Sequence, residues 1–249
     1  MTVALALLAP ALAFAGVGKV SQLQGKASRT GTDGVKVALA PGSEIEVGDS
    51  LQVEKGGALK LLLNDESVLA VGPESQLQIN EAEFSGLERK GFSAKLMFGA
   101  VWAKVKKVAA GSEAKFEVTT ERAVAGVRGT IFRVDATKLL KASTGSRRKK
   151  PVPVTVVRVT EGKVAVDAQV RLAQATGPAA QGQTQPASTG PRRQVAGPGQ
   201  ISKDEWEKKF VELQRDTQVT VGEDLWEVTQ LQLKKDDPLA KFVAADNHE

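Results

Sequence analysis

From residue 20 onward, apolar and polar positions alternate over short stretches that are separated by turn-forming residues. Leu51 and Val53, for example, have polar neighbours and lead into Gly56 and Gly57. Successive side chains of a strand point to opposite faces, so this alternation is typical of strands with one buried face. The turn residues limit each strand to about five or six residues. The pattern therefore predicts many short strands and a mainly β fold.

The clearest predicted pair of strands is a hairpin made of residues 58–63 and 67–71. Its turn reads Asn-Asp-Glu at residues 64–66. Asn and Asp tolerate left-handed backbone angles and hydrogen-bond their own backbone, which favours a turn. Pro73 ends the second strand because proline cannot donate to a sheet ladder.

Three glycines, Gly25, Gly99 and Gly162, each lie between two stretches of alternating apolar residues. Three such corners indicate an elongated twisted sandwich or an irregular, solenoid-like β domain. The distances between the corners are irregular, so three ordinary glycine turns are the alternative.

The C-terminal part predicts a change of structure. Residues 173–200 are rich in Ala, Gly, Pro, Gln, Ser and Thr and predict a flexible linker. Ser202 and Glu205 then form a capping box, and Trp206, Phe210 and Leu213 follow at helical spacing. Residues 201–249 are therefore expected to form a short α-helical tail. Its apolar stripe is expected to pack on the β domain, and a separate partner-binding helix is the alternative. Residues 222–235 fit a helix or a strand.

The first residues predict export. Residues 3–15 are apolar apart from Pro10, and Ala13, Phe14 and Ala15 form the small-x-small pattern of a signal-peptidase site. We expect residues 1–15 to be a cleaved signal peptide and the mature chain to be periplasmic or secreted, without a transmembrane helix. A buried N-terminal strand or an uncleaved anchor is the alternative. No Lys or Arg precedes the apolar stretch, so the positive n-region of a signal peptide is missing or the true start lies upstream.

Composition excludes several kinds of active site. The chain has no cysteine, and its one histidine is His248, beside the terminus. Thiolate chemistry, a Ser-His-Asp arrangement and a histidine-rich metal site are therefore not expected. No catalytic residue, metal ligand or cofactor is predicted, and the chain is expected not to be an enzyme.

The net charge of +5 comes from one segment. Residues 137–151 contain six basic residues and no acidic ones, which leaves the rest of the chain near neutrality. One interpretation is a solvated hairpin tip. The other is a patch that contacts an anionic membrane surface or envelope polymer through Arg147, Arg148, Lys149 and Lys150. Nucleic acid is an unlikely partner because recognition aromatics are lacking.

Residues 125–134 contain the most unusual local pattern, an arginine close to two glycines within alternating β-branched residues. Glycine weakens a strand unless the backbone must bend there or be approached closely. Gly126, Arg128 and Gly129 have neither the spacing nor the following helix of a dinucleotide site.

The chain resembles the FecR domain, and the resemblance covers about residues 17–172. The pieces that carry it are Leu39-Ala40-Pro41-Gly42, Gly48-Asp49-Ser50-Leu51, the hairpin at 61–71 with Gly72-Pro73 after it, Gly99-Ala100-Val101, and Gly126-Val127-Arg128-Gly129-Thr130-Ile131-Phe132. The resemblance implies an all-β domain on the outer side of the inner membrane. The best-understood members relay a signal from an outer-membrane iron-siderophore receptor to an extracytoplasmic-function sigma factor.

The chain departs from that signalling pattern. The cytoplasmic sigma-binding segment and the transmembrane helix of such regulators cannot be seen here, and Glu66 replaces the usual glycine after the hairpin aspartate. We therefore expect a non-enzymatic binding or assembly module of the bacterial cell envelope with a protein partner. The alternative is a periplasmic sensor or regulatory component of a FecR-type relay.

The resemblance also changes the interpretation of the arginine motif. Its members Gly126, Val127, Arg128, Gly129, Thr130 and Phe132 are expected to be structural. Arg128 would reach a carboxylate or backbone carbonyls on a neighbouring strand. A ligand contact through Arg128 is the alternative.

Overall fold

The structure is a computed structural model, and it describes residues 16–109, 114–142, 149–168, 210–222, 226–230 and 237–245. For residues 139–142, 149–150, 210–211 and 226–230 only the backbone is described. The predicted signal peptide, the predicted linker and the capping box at Ser202 lie outside the described residues, as do Trp206, Arg147, Arg148 and His248.

The described residues form strands and one short helix, as the alternating pattern predicts. The strands are β1 Gly18–Gln24, β2 Ala27–Thr30, β3 Lys36–Ala38, β4 Glu44–Ile45, β5 Ser50–Val53, β6 Ala58–Leu63, β7 Val68–Val71, β8 Ser75–Ser85, β9 Glu88–Lys104, β10 Glu117–Thr119, β11 Ala123–Val127, β12 Ile131–Ala142, β13 Lys149–Glu161, β14 Val164–Ala168, β15 Phe210–Leu213, β16 Thr217–Val221 and β17 Trp226–Gln230. The helix is α1, Pro238–Ala244. The prediction of a mainly β fold with a short C-terminal helix is confirmed.

The strands form two sheets that share one long strand. Sheet A has the order β4-β1-β6-β7-β9-β12-β13-β16-β17. Sheet B has the order β3-β2-β5-β8-β9-β10-β11-β14-β15. All of these pairs are antiparallel except β9 with β10. The first half of β9 pairs within sheet B and its second half within sheet A, so this strand joins the two sheets.

The chain crosses between the sheets at residues with a left-handed backbone. In β9 the crossing is at Gly99, where φ is +97° and an added Cβ would collide with Ser75. Eight further crossings also have a residue with positive φ, and these residues are Gly25, Gly42, Gly48, Gly56, Glu74, Gly129, Gly162 and Asp216. The three predicted corners are thus crossings of a two-sheet sandwich, and sequence spacing missed the other six.

The predicted hairpin is the β6 and β7 pair, in which Leu59 lies opposite Val71 and Leu62 opposite Val68. Glu66 takes the left-handed position of its turn with φ of +67°. A non-glycine residue at such an angle is uncommon, so the turn keeps its geometry without the usual glycine.

The main hydrophobic core lies between the two sheets. Three phenylalanine rings contact one another across this core. The ring centres of Phe92 and Phe116 are 4.6 Å apart in a stacked arrangement, and those of Phe116 and Phe132 are 6.3 Å apart in an edge-to-face arrangement. Phe92 and Phe116 belong to the sheet B side and Phe132 to sheet A. Phe132 and Val134 are both fully buried.

The C-terminal prediction of a helix through Phe210 and Leu213 is wrong where the structure describes it. Residues Phe210–Leu213 form strand β15, which pairs with β14 at the edge of sheet B. Phe210 and Leu213 fit a helical spacing, whereas Val211 and Leu213 on either side of Glu212 fit the period of a strand. The open edge of β14 decides between the two. Within residues 222–235, Trp226–Gln230 is a strand, which is one of the two predicted options.

The helix α1 begins instead at Asp237. The Asp237 side chain accepts hydrogen bonds from the backbone N–H of Leu239 at 2.9 Å and of Ala240 at 3.4 Å, and Pro238 occupies the first turn. Both features favour a helix start. The helix covers the outer face of sheet A, where buried Leu239 joins a second apolar cluster with Trp102.

Candidate functional site

Arg89 is buried, and both of its terminal guanidinium nitrogens have partners, whereas its Nε has none among the described residues. Arg89 is 3% exposed and forms an ion pair with Asp65 in the β6–β7 turn. It also donates to Ser67 Oγ at 3.2 Å and to the Lys106 carbonyl at 3.3 Å, and its guanidinium lies 5.2 Å from the Phe116 ring centre. Burial lowers the pKa of Arg89, and Asp65 opposes that effect only in part. This cluster ties the turn to β9 and to the core.

A groove of about 1010 Å³ lies where β9 bends between the sheets. Its walls are the bend of β9, the outer face of β12 and β13, and the start of α1. Met97 and Phe98 line it and remain 46% and 43% exposed. Exposed large apolar side chains side by side in a concave surface are typical of a binding site. We call this surface the Met97 groove.

A network of charged side chains forms one wall of the Met97 groove. The Arg133 guanidinium donates from Nε and Nη2 to Asp135 at 2.7 to 3.0 Å, and from Nη1 to Asp237 Oδ1 at 2.7 Å. Arg158 also forms an ion pair with Asp135. Burial alone would lower the pKa of Arg133, but the hydrogen bonds and charges of Asp135 and Asp237 outweigh it and raise the pKa. Arg133 is therefore a fixed cation that connects β12 to α1.

The arginine motif lies at the crossing from β11 in sheet B to β12 in sheet A. Val127 is buried, and Thr130 Oγ1 donates to the Lys163 carbonyl at 2.8 Å across that crossing. Gly129 has φ of +116°, and an added Cβ would collide with the Lys107 side chain and lie 2.6 Å from Lys107 Cα. Gly129 is thus required by the local backbone.

Arg128 differs from its neighbours because its side chain is exposed. Within the part of the chain that the structure describes, it has no hydrogen bond and no ion pair. The carboxylate or carbonyl partner that the sequence analysis expects for Arg128 is therefore not found among the described residues. The arginine that fills that role in the core is Arg89, which no sequence motif marked.

The predicted basic patch is described only in part. The backbone of β12 and β13 continues as an antiparallel pair as far as Ala142 opposite Lys149 and Lys141 opposite Lys150. Arg147 and Arg148 lie outside the described residues, so contact of this patch with an anionic surface stays a prediction.

The described ranges contain neither a candidate metal site nor a candidate membrane-spanning helix. No group of three or more His, Cys, Asp or Glu residues there could hold a metal ion. No helix within these ranges is long and apolar enough to cross a bilayer.

The geometry defines a class: an all-β domain of two facing sheets whose chain repeatedly crosses between them. The family model described as "FecR protein" matches residues 49–165, so this part of the chain is a FecR domain. The match includes the hairpin, the arginine motif and the strands that line the Met97 groove, and it confirms the resemblance found in the sequence.

None of the curated proteins matches the chain significantly. Similar solved structures include two crystal structures of a "putative anti-sigma factor" from Parabacteroides distasonis ATCC 8503, at 1.65 and 2.50 Å resolution. Each is 16% identical to this chain and covers 78% of it, with TM-scores of 0.42 and 0.43. The chain spans 63% and 62% of the length of those proteins.

Sequence reasoning missed the network at the Met97 groove, although part of its signal was available. Arg133 and Asp135 alternate with buried Phe132 and Val134, so a period of two already places both charges on the outer face of β12. The hydrogen bond between Arg133 and Asp237 joins residues 104 positions apart, and no local sequence pattern predicts such a contact.

Proposed function

We propose that this chain is a regulatory component of a FecR-type signalling relay and binds a protein partner on the exported side of the membrane. The observation that carries the proposal is the FecR domain at residues 49–165. Among the two functions that the sequence left open, this one was the alternative. It replaces the envelope assembly module as the preferred function because the family is one of regulators.

The Met97 groove is the surface that best suits contact with the partner. Met97 and Phe98 present apolar area without being part of the core, and protein interfaces are enriched in Met and Phe. The adjacent Arg133 network holds α1 against the groove, so a ligand there would contact the sheet and the C-terminal helix together. We infer that the partner places an apolar side chain between Phe98 and α1.

The groove can be tested in cells with a double variant, Met97→Ser with Phe98→Ser. Both residues are exposed, so stability should change by only about 0.5 kcal/mol. We expect photo-crosslinking from position 137, where exposed Thr137 also lines the groove, to lose its partner in the double variant, and the transcripts that depend on an alternative sigma factor to change. Leu87→Ser is the matched control, because Leu87 is 63% exposed and lies in the β8–β9 turn away from the groove.

The same experiment distinguishes the regulator from an assembly module. Loss of the crosslinked partner with unchanged transcripts would favour assembly over signalling. Unchanged crosslinking in the double variant would exclude the Met97 groove as the contact.

The exported location is part of the proposal and has its own test. N-terminal sequencing of the protein from the cell envelope should give a chain that begins after Ala15. A chain that begins at Met1 would contradict cleavage of the predicted signal peptide.

A further inference from the structure

Gly126 is a glycine that the fold does not need. It lies inside β11, a strand with neighbours on both sides, and faces Glu117 of β10 and Ala165 of β14 in regular register. Its φ is not in the left-handed region, and an added Cβ would approach nothing closer than the Ala165 carbonyl oxygen at 3.9 Å. A β-branched residue would be more stable in such a place.

The remaining reason for glycine inside a strand is the close approach of another backbone. Gly126 lies on the outer face of sheet B, at the bottom of a trough of about 430 Å³. Ala165, the next residue across the sheet, adds only a methyl group to the bottom of the trough. This leaves room for an extended chain to lie directly on the strands. We call this surface the Arg128 trough.

Arg128 and Lys115 form one side of the Arg128 trough. Neither side chain has an ion-pair partner among the described residues. Lys163 also lines the trough, but it forms an ion pair with Glu212 at 2.8 Å. Two uncompensated cations at one position attract an anionic group, and the planar guanidinium suits a carboxylate in a bidentate pair.

We propose that the Arg128 trough binds an extended segment of a protein partner that carries one carboxylate, with its backbone over Gly126 and that carboxylate on Arg128. The choice of a protein as the occupant rests on the proposed function. The site itself shares no lining residue with the Met97 groove.

The charges inside the trough favour a peptide over a polyanion. Glu117 and Glu212 both line it, and hydrogen bonds from Lys163 and Gln214 hold the pKa of Glu212 below its ordinary value, so it stays ionised. A membrane or polymer with a uniform negative charge would be repelled by these carboxylates. A segment with one carboxylate at the Arg128 end avoids them.

The test uses the full chain labelled with ¹⁵N and a capped heptapeptide of alanine and glycine with a single central aspartate. Binding is followed by the chemical shift of the Ala165 amide. We expect saturable shifts with the wild-type chain and an affinity lower by about tenfold or more for Arg128→Ala, because a charge-assisted pair is lost. The same peptide with asparagine should bind at least about tenfold more weakly.

Gly126→Val is the decisive variant, because it fills the trough and leaves every charge in place. It should melt at or above the wild-type temperature and yet lose the peptide. Lys55→Ala, which removes an exposed charge in the β5–β6 turn, should bind as the wild type does.

Wild-type affinity in Gly126→Val, or equal binding of the asparagine peptide, would overturn the proposal. Arg128-dependent binding of phosphatidylglycerol vesicles without peptide binding would also overturn it, since the occupant would then be a lipid surface. The assay needs no signalling partner, so its outcome is independent of the transcript measurement that tests the proposed function.

Discussion

Two arginines of this domain have opposite surroundings. Arg89 is buried with a carboxylate, a hydroxyl, a carbonyl and an aromatic ring around it. Arg128 belongs to the most recognisable motif of the chain, yet its side chain is exposed and has no partner among the described residues. Burial of a guanidinium is costly unless its charge is paired and its terminal donors are hydrogen-bonded, as they are in Arg89. The structural arginine is therefore the one with partners, whereas the motif arginine is free to contact another molecule.

The two glycines beside Arg128 show the same difference. Gly129 has a left-handed backbone and no room for a Cβ next to Lys107. Gly126 has neither constraint. The motif thus combines Gly129, which the crossing between the sheets requires, with Gly126 and Arg128, which have no evident structural role among the described residues.

The largest expected effect on stability comes from replacing the buried Arg89. Arg89→Ala leaves the Asp65 carboxylate buried without its counter-charge, which costs about 3 to 5 kcal/mol of unfolding free energy. Urea denaturation followed by circular dichroism measures this loss. Combining Arg89→Ala with Asp65→Asn should recover part of the lost unfolding free energy, because the buried carboxylate is then neutral.

Lys90→Ala is the matched control for Arg89→Ala. Lys90 is the next residue in β9, is exposed, and forms an ion pair with the exposed Glu88. Its removal should change stability by about 0.5 kcal/mol at most. Equal losses in the two variants would show that the Arg89 cluster is not the anchor of the turn.

The next effect separates the two glycines. Gly129→Ala should lose roughly 2 kcal/mol or more, because it combines a strained backbone angle with a collision against Lys107. Gly126→Ala should change stability by about 0.5 kcal/mol or less, or raise it. Thermal unfolding of both variants provides the comparison, and a larger loss at Gly126 would contradict its assignment as a position open to a partner.

A smaller and more local effect is expected at α1. Asp237→Ala removes the N-terminal cap and the ion pair with Arg133, which should cost about 1 kcal/mol. Hydrogen exchange should accelerate at the amides of residues 240–245 while the strands remain protected. Asp167→Ala, an exposed aspartate on the outer face of sheet B, should leave those amides unchanged. Unchanged exchange in Asp237→Ala would mean that Leu239 packing alone holds the helix.

Local patterns predicted much of this molecule. The Asn-Asp-Glu turn at residues 64–66 predicted the β6 and β7 hairpin, although both strands are buried on both faces and alternate little. Helical spacing failed at Phe210–Leu213, where a helical and a strand period overlap and the free edge of β14 favours the strand. The start of α1 at Asp237 and Pro238 was readable from the sequence but was overlooked.

The candidate sites depend on contacts that no local pattern contains. Asp65 was predicted only as a turn residue, and its pairing with Arg89 requires β9 to return beside the hairpin. The trough at Gly126 depends in the same way on Ala165 lying opposite it in β14. The motif identified the position of interest, and only the register of the strands shows which of its residues the fold uses.

The smallest expected effect is on the stability of Arg128 variants. Because Arg128 has no hydrogen bond or ion pair to lose among the described residues, Arg128→Ala and Arg128→Lys should each change the unfolding free energy by about 0.5 kcal/mol or less. A structural arginine in a bidentate pair would instead make the lysine variant clearly less stable, since an ammonium cannot replace the fork of donors. Thermal unfolding of the two variants beside Arg89→Lys decides between these outcomes. A loss at Arg128 equal to that at Arg89 would remove the difference between the two arginines, and with it the reason to place an acidic partner at Arg128.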